Sequence, residues 1–230
     1  MRIGILGTGN MATALGGAWV RSGHDVVVGG RDPGAAAATA ARVRAAGHGA
    51  LAEAAAHGEI VLVAVPADAA PDLVRGLAGD LAGRTVIDCT NPVVHGADGP
   101  MLVTDGATSV ARRMTEAAPG AHVVKAFHLC HASVWTLDPP VFEGEPLAVP
   151  YCGDDPAALD RVAALITSMG CAPLPCGGLS RAPYLEATAA FAIGAWFSGA
   201  QPRHAFPAPA EAVLVPDGTV PVPSATTAVR

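Results

Sequence analysis

The sequence predicts an α/β fold, with a doubly wound, mostly parallel β-sheet, a C-terminal helix and a proline-rich tail. From residue 1 to about 175, short β-type runs alternate with stretches of helical periodicity, the order typical of parallel strands joined by helices. Several of the runs are apolar throughout, as strands buried on both faces are. A glycine-rich turn also follows the first run, between a strand and a helix.

Seven strands are predicted in this region: Arg2–Leu6, Asp25–Val28, Ile60–Ala64, Thr85–Asp88, His122–Lys125, Leu147–Tyr151 and Ala172–Leu174. The first helix, Asn10–Arg21, has apolar residues at helical spacing, namely Met11, Ala14, Leu15, Ala18 and Trp19. Asp-Pro pairs predict the starts of two further helices, Gly34–Ala46 and Pro156–Met169, and a last helix is predicted over Ala182–Ser198.

Two segments follow from this pattern. Residues 1–200 are expected to form one domain that contains the whole functional site, and residues 201–230 are expected to form an extended or disordered tail. The tail contains six prolines, few large apolar residues and no helical period.

Composition excludes several classes of function. A net charge of −6 with only 14 Lys+Arg argues against a nucleic-acid surface. No apolar run reaches the roughly 18 residues of a membrane span, and the start of the chain does not resemble a signal peptide. The five cysteines are scattered, as reduced thiols are, so a cytoplasmic location is expected. The histidines and the cysteine near the fifth strand (His122, His128, Cys130, His131) are badly spaced for converging on a metal, and no metal is predicted.

The glycine-rich turn is Gly7-Thr8-Gly9-Asn10-Met11-Ala12, a GxGxxA pattern. Its first glycine permits a tight turn, its second lets the backbone approach a pyrophosphate, and the alanine allows close packing of helix and strand. The helix N-terminus supplies N–H groups to the anion. This context, with a strand ending about twenty residues later, predicts a Rossmann-type dinucleotide site.

The end of the second strand indicates which dinucleotide binds. An NAD site usually has a carboxylate there, whereas this chain has Gly29, Gly30 and Arg31. A guanidinium would hold the 2′-phosphate of NADP. Asp32 is the rival ligand, on a ribose hydroxyl, but it directly precedes Pro33 and suits a helix N-cap. The sequence therefore favours NADP(H).

Several motifs together resemble one family. GTGNMA at the turn, GGR after the second strand, VAVPAD at 63–68 and DCTNP at 88–92 are similar to the F-420-dependent NADP oxidoreductases. VVKAFH at 123–128, VPYCGDD at 149–155 and GGLSRAPYLEATA at 177–189 extend the resemblance to about residue 200. Pyrroline-5-carboxylate reductases and the cytoplasmic domain of STEAP-type metalloreductases share this domain type.

The resemblance implies roles for individual residues. NADPH would be bound by Gly7, Thr8, Gly9, Asn10 and Met11, with Gly30 and Arg31 on the 2′-phosphate. The nicotinamide side would be lined by Val65, Pro66 and Asn91 and closed by Ala132. The second redox partner would meet His128, Leu179 and Ser180. Relatives often have a further basic residue shortly after the strand-two arginine, whereas this chain has Ala35 to Ala38.

The resulting expectation is an NADPH-dependent oxidoreductase, with coenzyme F-420, a deazaflavin with a polyanionic tail, as the second substrate. Arg112, Arg113, Arg181 and Arg203 are the candidates to meet that tail. The Tyr-x-x-x-Lys pair of short-chain dehydrogenases is absent, because Lys125 is the sole lysine and it does not stand four positions after Tyr151 or Tyr184. Two alternatives remain open: reduction of an imine, a carbonyl compound or a flavin, and a non-catalytic NADP(H)-binding module. A homodimer is expected, with Trp196 and Phe197 in the core or at the subunit interface.

Overall fold

A computed structural model describes residues 1–97, 99–104, 108–200 and 202. The predicted tail lies almost wholly outside the described residues. The strands are β1 (Arg2–Leu6), β2 (Asp25–Gly29), β3 (Gly47–Gly49), β4 (Ile60–Val63), β5 (Thr85–Asp88), β6 (Val93–Gly96), β7 (Gly99–Leu102), β8 (His122–Ala126), β9 (Val141–Phe142), β10 (Glu145–Pro146), β11 (Ala148–Gly153) and β12 (Ala172–Pro175). The helices are α1 (Asn10–Arg21), α2 (Pro33–Val43), α3 (Leu51–His57), α4 (Ala70–Gly76), α5 (Ala78–Leu81), α6 (Val110–Ala117), α7 (Pro156–Ser168) and α8 (Ala182–Phe197).

Eight strands form the central sheet in the order β12-β11-β8-β5-β4-β1-β2-β3. All neighbouring pairs are parallel except β11 with β8, which are antiparallel. Six neighbouring strands of this sheet, in the order β8-β5-β4-β1-β2-β3, have the strand order of a Rossmann fold. The predicted doubly wound α/β class is therefore confirmed. Two short hairpins, β6–β7 and β9–β10, lie outside this sheet.

A hydrophobic core covers each face of the sheet. On one face Trp19 is fully buried, and Phe127 packs edge-on against both Trp19 and Trp135, with ring centroids 5.7 and 5.4 Å apart. The other core holds apolar residues of α3, α4 and α6. The predicted stripe on α1 faces the core, since Ala14, Leu15, Ala18 and Trp19 are buried and Met11 is half-buried.

The predicted end of α2 was wrong. The helix ends at Val43, because Arg44 has left-handed backbone angles (φ +59°), and residues 47–49 form β3 by pairing with β2. Hydrogen bonding to β2, which a propensity-based prediction does not include, sets this boundary. In the part of the chain that the structure describes, no helix is long and apolar enough to cross a membrane.

Candidate functional site

The turn after β1 forms an open cradle at the carboxyl edge of the sheet. Gly7 has φ +129°, and a Cβ built on it would lie 2.2 Å from the carbonyl oxygen of Ala64, so only glycine fits there. Gly9 is exposed and forms the N-cap of α1, and a Cβ built on it would meet no atom within 4 Å. The space beside Gly9 is therefore open to a ligand at the start of α1, whose first N–H groups would hold a pyrophosphate. The residues present fit a dinucleotide.

The end of β2 separates the roles of two charged residues. The Asp32 carboxylate accepts hydrogen bonds from the backbone N–H groups of Gly34 (2.8 Å) and Ala35 (3.3 Å), so it caps α2 as predicted. Arg31 is exposed, and its guanidinium makes no hydrogen bond or ion pair with any other described residue. Gly30 lies against the turn, because a Cβ there would be 3.0 Å from Cγ2 of Thr8. Arg31 thus stands beside the cradle with its charge unpaired.

The residues predicted for the nicotinamide side follow β4, β5 and β8 at the same edge. Val65 is half-buried and Pro66 exposed, and Val65 approaches the Gly7 turn. The Asn91 side-chain amide donates to the carbonyl of His128 at 2.7 Å, while its Oδ1 is buried with no partner among the described residues. Ala132 is half-buried in the 3-10 turn Ala132–Thr136. The fold therefore brings this group together around the turn.

His128 lies in the interior of this edge. The preceding residue, Phe127, has φ +62°, a left-handed conformation that costs a non-glycine residue about 1–3 kcal/mol and is common at functional sites. His128 is only 3% exposed, and neither ring nitrogen makes a well-formed hydrogen bond within the described chain. Burial, and then the nearby Lys125 charge, lower the pKa of His128 well below its usual value, against a weaker raising interaction with the backbone of Leu185. The imidazole is neutral at pH 7.

Leu179 and Ser180 are not placed beside His128. Leu179 is buried, its N–H donates to Asp154 at 2.7 Å, and it lines a small cavity with His122. His122 begins β8 and His128 follows its end, so Leu179 lies at the opposite edge of the sheet. A contact of Leu179 and Ser180 with the second redox partner stays a prediction.

Below the carboxyl edge lies a buried charge cluster that the sequence analysis missed. The ammonium of Lys125 donates to Asp88 Oδ2 (2.9 Å), Glu186 Oε1 (3.1 Å) and the carbonyl of Thr90 (2.6 Å). All three charged side chains are fully buried. Glu186 Oε1 also accepts the N–H of Val110, which begins α6, whereas its Oε2 has no partner among the described residues. We call Lys125, Asp88 and Glu186 the buried triad.

The triad joins the ends of β5 and β8 to α8, so it supports the two segments that carry Asn91 and His128. The adjacent carboxylates raise the pKa of Lys125 against the effect of its burial. The pKa of Glu186 is raised, first by burial and then by Asp88. A signal for the triad existed in the sequence: a lysine within the apolar run of a central strand needs a buried acidic partner.

Four of the chain's five thiols are poor nucleophiles, and the described residues contain no cluster that could hold a metal ion. Burial raises the pKa of Cys89 and Cys152 to about 12, and that of Cys130 and Cys171 to about 11, so these thiols stay protonated. No three His, Cys, Asp or Glu side chains lie close enough to hold a metal ion, within the ranges that the structure covers.

Comparisons with known proteins identify relatives of this chain. Residues 2–92 match the family described as NADP oxidoreductase, coenzyme F-420-dependent. The chain is 31% identical over 195 residues to metalloreductase STEAP3 of Rattus norvegicus, and 28% identical over 148 residues to the F-420-dependent NADP reductase of Methanocaldococcus jannaschii. These alignments cover 85% and 62% of this chain, but only 38% and 64% of the two relatives.

Solved structures agree with this relationship. A candidate F-420-dependent NADP reductase from an Arthrobacter species has a TM-score of 0.78 and 28% identity, over 87% of this chain and 96% of that one. An imine reductase from Streptomyces aurantiacus has a TM-score of 0.60 and 20% identity, over 86% of this chain and 61% of that one, and shares the fold. The resemblance drawn from the motifs is confirmed.

Proposed function

We propose that this chain, a relative of the coenzyme F-420-dependent NADP oxidoreductases, transfers hydride directly between NADP(H) and a second organic redox partner, the deazaflavin F-420. The arrangement at the end of β2 carries the nucleotide part of the proposal: Asp32 is engaged as a helix cap, while Arg31 is exposed and unpaired in the described chain. The names of the matched family and of the Methanocaldococcus reductase support the acceptor.

Each part of the site has a distinct task in this proposal. The N–H groups at the start of α1 hold the pyrophosphate, and Arg31 holds the 2′-phosphate. NADPH, when bound, supplies the hydride. Val65, Pro66, Asn91 and Ala132 orient the reacting face and exclude water from it. Transfer between two stacked rings depends on alignment and desolvation more than on a charged catalytic group, which suits a neutral, buried His128.

The nucleotide part is tested with the dissociation constants of NADPH and NADH. A charge-assisted hydrogen bond to a phosphate contributes about 1.5–3 kcal/mol. Arg31→Ala should therefore weaken NADPH about ten- to a hundredfold and barely change NADH. Arg75→Ala is the matched control, because Arg75 is an exposed arginine that pairs with Asp72 on α4. Equal losses for both nucleotides would show that Arg31 acts structurally, and a wild-type preference for NADH would favour Asp32 as the ribose ligand.

The acceptor part is tested by NADPH oxidation with a deazaflavin, an imine panel and a flavin. Turnover with the deazaflavin supports the proposal. Turnover only with an imine, a carbonyl compound or a flavin replaces the acceptor and keeps the NADPH site. Tight NADPH binding without any turnover indicates a non-catalytic module.

We also propose a homodimer, in the cytoplasm, formed through exposed aromatic side chains of α8. Tyr184, Phe191, Trp196 and Phe197 are 61%, 53%, 42% and 70% exposed, a concentration of large apolar side chains that favours a covered surface. Sedimentation of wild type and of Tyr184→Ser/Phe197→Ser tests this proposal. A monomeric wild type would refute it.

A further inference from the structure

An elongated groove follows the outer side of α1. Its volume is about 740 Å³, within the range of small-molecule sites. It starts at Asn10 and Ala132, two residues of the candidate nucleotide site, and reaches Arg21 at the end of α1. At 1.5 Å per residue this is roughly 16 Å, so the groove leads from the reaction centre toward the opposite edge of the sheet.

The walls of the groove are cationic. Arg21, Arg42, Arg44 and His131 line it, and no aspartate or glutamate does, although the whole chain carries a net charge of −6. The guanidinium groups of Arg42 and Arg44 make no hydrogen bond or ion pair with other described residues. Two unpaired arginines beside Arg21 and His131 concentrate positive potential in this groove of an acidic protein.

The ends of the elements shape the groove. Arg44 has left-handed backbone angles and terminates α2 at the groove wall. Arg21 donates to the carbonyl of Trp135 at 3.3 Å and lies 3.5 Å from Asp138, so it closes the far end. The floor lacks a side chain at Gly17, where a Cβ would be 3.5 Å from the Arg21 guanidinium.

We propose that this groove binds the anionic tail of the hydride acceptor, a chain that carries phosphate and carboxylate groups. This inference rests on the proposed function. The groove begins beside Asn10 and Ala132, and these two residues connect it to the place where the reacting ring would lie. Arg31 does not line the groove, so this site is separate from the one proposed for the 2′-phosphate.

Of the arginines first considered for this tail, Arg112, Arg113 and Arg181 do not line the groove. Arg112 pairs with Glu116, and Arg181 stacks on the ring of Tyr184, 4.9 Å from its centroid. Arg203 lies outside the described residues. In this proposal Arg42 and Arg44 are the principal contacts of the tail, with Arg21 closing the groove.

The test compares coenzyme F-420 with the tail-less 5-deazariboflavin as acceptors. The variant is Arg42→Gln/Arg44→Asn, in which asparagine suits the left-handed position. The matched control is Arg2→Gln/Arg75→Gln, which removes two exposed arginines that do not line the groove. Because the tail would be held by exposed ion pairs, we expect the KM for F-420 to be about three- to thirtyfold higher in the groove variant. The kcat, the KM for the tail-less acceptor and the NADPH dissociation constant should not change. The difference should fall at 0.5 M salt, to about the control level.

The outcomes separate the inference from the proposed function. Turnover of F-420 with the same KM in wild type, groove variant and control would overturn the groove and leave the function standing. Absence of turnover, combined with F-420 binding that the groove variant weakens, would overturn the function and leave the groove standing. Absence of both turnover and F-420 binding would overturn both.

Discussion

Lys125→Met gives a demanding test of the buried triad. The substitution keeps an apolar stem of similar length and removes an ammonium that contacts three acceptors at 2.6–3.1 Å. It leaves the carboxylates of Asp88 and Glu186 without their shared cation in a site that is fully buried. Removing one partner of a buried ion pair costs about 3–5 kcal/mol. For a domain of this size, about 2–4 °C per kcal/mol converts this loss into a melting temperature lower by roughly 6–20 °C.

The loss should depend on pH in a defined direction. Without the ammonium, the folded-state pKa of a carboxyl in the pair rises above its unfolded value of about 4. Such a carboxyl binds its proton more tightly in the folded state. The loss of folding stability that its buried negative charge causes is therefore absent below the unfolded-state pKa and grows as pH rises toward the folded-state pKa. Burial and Asp88 already raise the pKa of Glu186 in the wild type. The deficit of Lys125→Met is therefore smaller at pH 5 than at pH 8.

Urea unfolding of wild type and variant at both pH values measures this effect. Arg112→Met is the control, since its pair with Glu116 has side chains 58% and 65% exposed and should contribute at most about 0.5 kcal/mol. Glu186→Gln in the Lys125→Met background should recover stability, because it removes one of the two uncompensated charges. A Lys125→Met deficit below about 1 kcal/mol that does not change with pH would refute our account of the triad.

Two further predictions concern the carboxyl edge of the sheet. Gly7→Ala should destabilise the fold by several kcal/mol, because its Cβ would lie 2.2 Å from the Ala64 carbonyl oxygen, whereas Gly9→Ala should fold normally and weaken NADPH at least tenfold. Urea unfolding and nucleotide titration of both variants check this contrast, and equal unfolding midpoints would contradict it. The lowered pKa of His128 means that wild-type stability is lost as pH falls below about 6.5, by up to roughly 1.4 kcal/mol per pH unit. His128→Gln should lose this dependence, and parallel stability curves for the two proteins from pH 7.5 to 5 would show that the imidazole is not held neutral.

The parts of the fold that could be predicted are those set by local periodicity. The bounds of β1, α1 and β5 agree with the sequence pattern, because apolar runs and helical stripes are properties of neighbouring residues. The strand β3 could not be predicted this way. Its three residues, Gly47 to Gly49, are poor strand formers, and they become a strand by hydrogen bonding to β2. The sequence analysis also missed the β6–β7 hairpin. This hairpin packs against α8 through the rings of His95 and Phe197, whose centroids are 5.1 Å apart.

The same distinction applies to the candidate site. The Gly7–Met11 turn and the Arg31–Asp32 pair are each contiguous, so their roles could be inferred from order and spacing. The triad connects residues 37 and 61 positions apart, and the groove joins the ends of α1 and α2 to a turn about 90 residues later. The charge and apolar setting of Lys125 predict that it has an acidic partner, but only the tertiary fold identifies Asp88 and Glu186.

The two halves of the site therefore rest on different physical supports. In the proposed site, the nucleotide half consists of the exposed Arg31, the N–H groups at the start of α1 and the preceding Gly7 and Gly9, and these need no buried charge. The half in which the nicotinamide and the acceptor would meet depends on side chains, because Asn91 donates to the carbonyl of His128, and Lys125 anchors the segments that carry both residues to α8. A backbone cradle tolerates most side-chain changes around it, whereas an acceptor pocket held by a buried triad shifts when α8 shifts. Binding of the nucleotide and choice of acceptor can thus vary separately on one fold, and substitutions at α8 should alter turnover before they alter NADPH affinity.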